Sequence, residues 1–275
     1  MANNLPLEKQ TMAIHALAEG NSIRSIERMT GIHRDTIMRL GVKVGQACQN
    51  LLDEKMQNLA LGSIEVDEIW GFIGKKQKNV RRSDDRHLVG DVWTWIALDA
   101  QTKLIPSYII GKRDAYHANA FMMDLAARVN NRVQLSSDGL AIYASAVERG
   151  FGADVDYGQI AKSYASDERY PQGKYSPPEV VAVERTVVMG SPVQADICTS
   201  HVEKQNHTLR MHCRRLTRLT NAFSKKLTNF KAAIGLNFAY YNFVKTHGTI
   251  RCTPAMAAGV MPSALTVRDL VEMAQ

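Results

Sequence analysis

The chain has 275 residues, 45% of them hydrophobic, and a formal net charge of +7 from 34 Lys and Arg against 27 Asp and Glu. That apolar content supports one substantial core and a small accessory domain, which excludes a wholly disordered chain, and the basic balance favours a polyanionic partner. Cys48, Cys198, Cys213 and Cys252 are isolated, so no Cys-x-x-Cys metal knuckle or disulfide framework is indicated, a reducing, cytoplasmic setting fits, and no stretch reads as an export signal or membrane span.

The first 45 or so residues read as three short helices. Residues 7–18 carry Met12, Ile14 and Leu17 at helical spacing, and Glu19-Gly20-Asn21 ends the run. Ser22 is the candidate N-cap of "NSIRSIERMTG", where Ile23, Ile26 and Met29 share a face. Gly31 then turns the chain into "IHRDTIMRLGVKVGQACQNLL". Helix, helix, Gly turn, helix is a helix-turn-helix pattern, whose last helix would lay His33, Arg34, Thr36 and Arg39 in the major groove with Ile32, Ile37 and Leu40 turned inward.

From residue 62 the texture becomes that of strands. "SIEVDEIWGFIG", "DVWTWIALDA" and "LIPSYIIG" predict a three-stranded meander, with the basic turn "KKQKNVRRSDDR" between the first two. Asp114 is placed to cap the helix "AYHANAFMMDLAARV"; "RVQLSSD" is a fourth strand, residues 140–148 a second helix and "VDYGQIAKSY" a fifth strand. Residues 165–198 read as a loop with one hairpin, and helices are expected at 200–220 and 224–246. This order is that of an α/β, ribonuclease-H-like core, a mixed five-stranded sheet with flanking helices, behind a small all-α helix-turn-helix domain. The expected division is 1–50 for the helix-turn-helix domain, 51–61 for a linker, 62–248 for the catalytic domain and 249–275 for a tail.

Three acidic residues from separate elements suit a two-metal phosphoryl-transfer site, because hard cations take oxygen ligands. Asp67 lies mid-strand, where a charge is disfavoured unless it is paired or metal-bound, although Glu65 and Glu68 beside it leave the choice within that trio open. Asp138 ends the fourth strand, where open α/β sheets collect ligands, and Glu203 begins the late helix. Taken singly, Asp138 reads as a helix cap and Glu203, three residues after Ser200, as half of a capping box. Their coincidence in this element order favours a shared site. On the late helix Glu203, His207, Arg210 and Arg214 fall on one polar face, and Val202, Leu209, Cys213 and Leu216 make an apolar stripe. Residues 203–231 hold eight Lys or Arg, at 204, 210, 214, 215, 218, 225, 226 and 231, against the single acid Glu203, an imbalance that repels itself without a polyanion. The candidate DNA contacts are therefore Arg34, Thr36 and Arg39, then Lys75, Lys76, Lys78, Arg81 and Arg82 of the basic turn, and His207, Arg210, Arg214, Arg215 and Arg218.

"VDEIWGFIGKKQKN", "SSDG", "VEKQNHTLR", "RLTNAFSKK" and "YYNFVKTHGTIRCTPAMAAG" together resemble the DDE transposases of bacterial insertion sequences, most closely those of insertion sequence 1 type, over residues 62–260. The resemblance implies an integrase-type core in which Asp67, Asp138 and Glu203 hold two Mg²⁺ ions, with Mn²⁺ as an alternative, and in which Arg210 matches the basic residue seven positions after the Glu. It implies strand cleavage at transposon ends by metal-activated water, joining of the freed 3′-OH to target DNA, and at least a dimer acting on DNA. Members of that type often carry an N-terminal zinc finger; this chain has no cysteine pair there, so the helix-turn-helix would recognise the ends. The rival expectations are a domesticated repressor without catalysis, and a nuclease or resolvase on the same fold.

Overall fold

The structure is a computed structural model that describes residues 5–85, 88–164 and 180–275. Three helices lead: α1 (Leu7–Ala18), α2 (Ile23–Thr30) and α3 (Arg34–Lys55). Ser22 caps α2 by accepting from the Ser25 N–H at 3.0 Å, and Gly31 takes a left-handed φ of 68° between α2 and α3, a conformation a side chain would strain. A small cluster of Ala13, Ile26, Ile32 and Ile37 holds the three together. The linker expected from residue 51 begins inside α3, which runs on to Lys55 because Leu51 and Leu52 extend its buried stripe. Ile14, Ala18, Val44 and Cys48 join the core of the rest of the chain, so these helices are docked on it.

A sheet follows, built of β1 (Ser63–Ile73), β2 (Gly90–Asp99), β3 (Tyr108–Gly111), β4 (Val133–Asp138), β5 (Val155–Tyr164) and β6 (Val180–Met189), in the spatial order β3-β2-β1-β4-β5-β6. The meander pairs antiparallel, β1 with β4 and β4 with β5 pair parallel, and β6 returns antiparallel on β5. The expected five-stranded sheet thus has a sixth strand. It occupies part of the segment read as a loop with one hairpin, whose residues 165–179 lie outside the described ones. Its valines, exposed on both faces, lack the in–out alternation that marks a strand by pattern. The third strand is also shorter than expected, starting at Tyr108 rather than in the preceding Leu104-Ile105-Pro106.

The crossovers α4 (Ala115–Arg128) and α5 (Ile142–Phe151) lie on one face of the sheet, with Asp114 capping α4 through the His117 N–H as expected. The expected helix over 200–220 is corrected to α6 (Ser200–His212), which stops at Cys213 and gives way to a single turn over Arg214–Leu216. The last helices are α7 (Leu227–Ala239), continued by a wider turn over Tyr240–Val244, then α8 (Pro254–Ala257), capped by Thr253, and α9 (Val267–Glu272). α3 and α7 cross at backbone contact: a Cβ on Gly45 would stand 2.2 Å from the Ala232 carbonyl oxygen.

Asn242 interrupts an apolar run in the sequence, and in the fold it is fully buried, with Oδ1 accepting from the Ile105 N–H at 3.1 Å and Nδ2 donating to the Ile105 carbonyl at 2.9 Å. It pairs both backbone groups of a residue outside the regular strands. Asn242→Leu leaves those groups buried and unpaired, at roughly 1–3 kcal/mol each. Thermal or urea unfolding is expected to show a loss of about 2–5 kcal/mol, and an unchanged midpoint would refute the role.

Candidate active site

The parallel register of β1 on β4 pairs Ser63 with Gln134, Ile64 with Leu135 and Glu65 with Ser136, and stops there. Asp67 and Asp138 each lie two residues beyond the last pair, so they sit level where the two strands part, at the carboxyl end of parallel strands. Beyond that point the vacated edge of β1 is taken by other groups: the Gly74 N–H donates to the Ser224 carbonyl at 2.8 Å and Arg210 Nη2 to the Trp70 carbonyl at 3.4 Å.

Carboxylate oxygens of Asp67, Glu68 and Asp138 lie within 4.8 Å of one another. Alternation along β1 sends Asp67 and Glu68 to different neighbours. Asp67 accepts from Asn206 Nδ2 of α6 at 2.8 Å and from the Glu68 N–H at 2.8 Å. Glu68, with a side chain only 2% exposed, accepts from the Tyr143 hydroxyl of α5 at 2.8 Å and from Arg113, whose Nη2 stands 2.6 Å away. Asp138 Oδ1 accepts from the Leu140 N–H at 3.0 Å, so it closes the turn ahead of α5 without being that helix's N-cap residue, which corrects the reading of Asp138 as a helix cap.

Glu203 is not brought into this group. Its Oε1 accepts from Lys162 Nζ at 2.5 Å and from the Thr199 hydroxyl at 2.7 Å. The capping box expected between Ser200 and Glu203 is absent because the N-cap position of α6 falls to Thr199. Glu65 belongs elsewhere too: buried, it accepts from the His201 and Val202 N–H groups at 2.8 and 2.9 Å and pins the start of α6. With Cys198 and His201 it makes a second group of ligand-type atoms.

Burial, then the charge of Glu68, pushes the Asp67 carboxyl up to about 7, and burial likewise raises Glu68. Like charges gathered out of water are a cost that a bound dication relieves. The donor set is all oxygen, which suits Mg²⁺ or Mn²⁺ better than a soft metal. Beside Asp67 the Asn206 Oδ1 is buried without a partner among the described residues, one more oxygen placed to meet an ion or its water. The group therefore fits a divalent cation. An Asp67 proton kept by the folded chain near pH 5 is one that the unfolded chain has already released. The contribution of Asp67 to metal-free stability is therefore fully present below about pH 4 and is lost as pH rises to about 7, by roughly a few kcal/mol. Below pH 7 the ion must displace that proton, so calorimetric Mn²⁺ affinity is expected to tighten about tenfold per pH unit up to pH 7 and then level off. A flat profile would show that Asp67 does not compete.

The basic residues divide. Arg34 and Arg39 on α3 are exposed and Thr36 half-buried beside them. In the β1–β2 turn Lys76, Lys78, Arg81 and Arg82 face water, whereas Lys75 is paired with Asp84 at 2.8 Å. His207 is exposed on α6. Because α6 ends at His212, Arg214, Arg215 and Arg218 do not continue its face as the sequence predicts. Arg214 and Arg218 are exposed, while Arg210 donates to the Leu216 carbonyl at 3.1 Å and Arg215 to the Ala222 carbonyl at 3.2 Å. Sequence reasoning missed Arg113, Tyr143 and Asn206, the three side chains that hold the acids. Only Asn206 carried a signal, three residues after Glu203 on one helical face.

No family model matches the chain, and no curated protein matches it. Solved structures do. One is a piggyBac transposase in a synaptic complex with hairpin DNA, at a TM-score of 0.50 and 10% sequence identity, with 97% of this chain and 69% of that chain covered. At that identity the likeness concerns the fold: over nearly its whole length the chain shares a mixed α/β architecture with a transposase.

Proposed function

We propose that this chain is a DDE-type DNA transposase with a ribonuclease-H-like core, of the bacterial insertion-sequence 1 kind. The observation that carries the reading is the meeting of Asp67, Glu68 and Asp138 within 4.8 Å where β1 and β4 separate. Two Mg²⁺ ions, or Mn²⁺, would supply there the Lewis acidity that activates water or a 3′-OH against a phosphodiester. Asp67 and Asp138 hold the ions from two strands whose spacing the sheet fixes. Arg113 and Tyr143 keep the Glu68 carboxylate aimed at the group, and Asn206 orients Asp67. Glu203 is the remaining ligand of the DDE set. It stands one helical turn before Asn206 on α6, where Lys162 neutralises it until DNA and metal bind.

The α2–α3 pair acts as a helix-turn-helix that reads the element ends through Arg34, Thr36 and Arg39. Lys76, Lys78, Arg81 and Arg82, with His207, Arg214 and Arg218, grip the phosphates, and Lys75, Arg210 and Arg215 join them on release from Asp84 and from the backbone carbonyls that hold them here. Cutting two ends in concert calls for at least a dimer. Among the described residues no helix is long and apolar enough to cross a membrane, in keeping with a protein that works on DNA. The test is to incubate the protein with labelled candidate ends, Mg²⁺ and a target plasmid, and to map the product strands. Ends joined to target through their 3′-OH support the reading. Cleavage without joining identifies a nuclease or resolvase, and binding without cleavage a repressor.

A further inference from the structure

The far half of the meander carries aromatic side chains that the metal group does not use. In the antiparallel register of β1 on β2, Glu68 is opposite Trp95 and Trp70 opposite Trp93, and opposed residues share a face. The first pair is covered: Trp95 is fully buried against Phe121 of α4 and Tyr143 of α5. Two residues further along that face, about 7 Å at strand rise, the side chains are less covered. Trp70, Trp93 and Phe72 there are only half-buried. Trp70 and Phe72 have ring centroids 5.7 Å apart, and Phe223, brought in by the segment beside β1, lies 4.7 Å beyond Phe72.

Two cations flank the row. Lys76 Nζ stands 5.9 Å from the Trp70 centroid and 6.0 Å from that of Phe72, and Arg113 stacks 4.9 Å over Trp93 while also gripping Glu68. Lys76 is exposed and has no carboxylate partner among the described residues. Partly exposed rings at alternate positions of a sheet face, with Lys76 over Trp70 and Phe72 and Arg113 over Trp93, suit stacked bases with phosphates alongside. A protein partner would want the apolar surface without the exposed charges of Lys76, Lys78, Arg81 and Arg82.

We infer that Trp70, Phe72 and Trp93 form a platform on which unpaired bases of a DNA strand stack as that strand enters the Asp67–Glu68–Asp138 group. The inference rests on the reading of that group as a DNA-cleaving site. The platform admits single-stranded or frayed DNA, because bases paired in a duplex do not present their faces.

Binding of a labelled single-stranded oligonucleotide and of the matching duplex, both in EDTA, tests it without catalysis. Trp70→Leu and Trp93→Leu keep the apolar bulk but remove the ring. Each is expected to weaken single-strand binding about tenfold while changing duplex binding by less than about twofold, and Trp→Phe at either position is expected to restore most of the loss. Single-strand binding is also expected to quench tryptophan emission in the parent chain, with the quench reduced in each Leu variant. Equal losses on both DNAs, or unchanged single-strand affinity in variants that melt like the parent, would overturn the platform. A parent chain that binds single strands in this ring-dependent way yet cuts nothing with Mg²⁺ keeps the platform and defeats the transposase reading.

Discussion

Asp67→Asn and Asp138→Asn are each expected to lower Mg²⁺-dependent cleavage of transposon ends by about 10³-fold or more. Each substitution keeps the side chain's size and removes the charge that would bind the ion under the proposed function. The fold is expected to survive, because the metal-free chain already bears the cost of gathered carboxylates: Asp67 is held up to about 7 by burial and by Glu68. Removing one charge relieves part of that cost, so melting in EDTA at pH 8 is expected to be unchanged or a few degrees higher than in the parent. Mg²⁺ is expected to raise the melting temperature of the parent and not of either variant. A variant that cuts at the parent's rate would remove that residue from the chemistry.

Glu68→Gln and Glu203→Gln are both expected to lose about 10²-fold or more in cleavage, for different reasons. Glu68 already stands among the acids, so its variant is expected to weaken Mn²⁺ binding in the absence of DNA. Glu203 is tied to Lys162 and Thr199 and exposed, so its variant is expected to bind Mn²⁺ in solution as the parent does and to fail only when DNA is present. Glu65→Gln is the contrast: it loosens the start of α6 and is expected to lower stability before chemistry. Full cleavage by Glu203→Gln would leave Glu68 as the third acid. Full cleavage and metal affinity in Glu68→Gln would reduce that residue to a partner of Arg113.

Elements with strong periodicity or explicit punctuation were legible in the sequence. Ser22, Gly31 and Asp114 mark helix boundaries where the structure puts them, and β1, β2, β4 and β5 lie where alternation and β-branched runs place them. Asp67 and Asp138 were legible as a pair because each needed a reason to end or interrupt an apolar strand. Register was not legible. Only pairing through Glu65 and Ser136 shows that these two acids are level, and only the folded chain shows that Glu68 joins them. The late helix was overextended because its charges keep helical spacing past Cys213, while the backbone breaks there to bury Leu216. Long-range anchors such as Tyr143 on Glu68 and Asn242 on Ile105 leave no local pattern at all.

If Asp67, Glu68 and Asp138 hold a metal as proposed, the anomalous difference map of a crystal soaked in Mn²⁺ will show it. The expected result is at least one peak between Asp67 and Asp138, about 2.1 Å from their carboxylate oxygens. No peak there, with the anomalous signal found only at Glu65, Cys198 and His201 or nowhere on the protein, would contradict it.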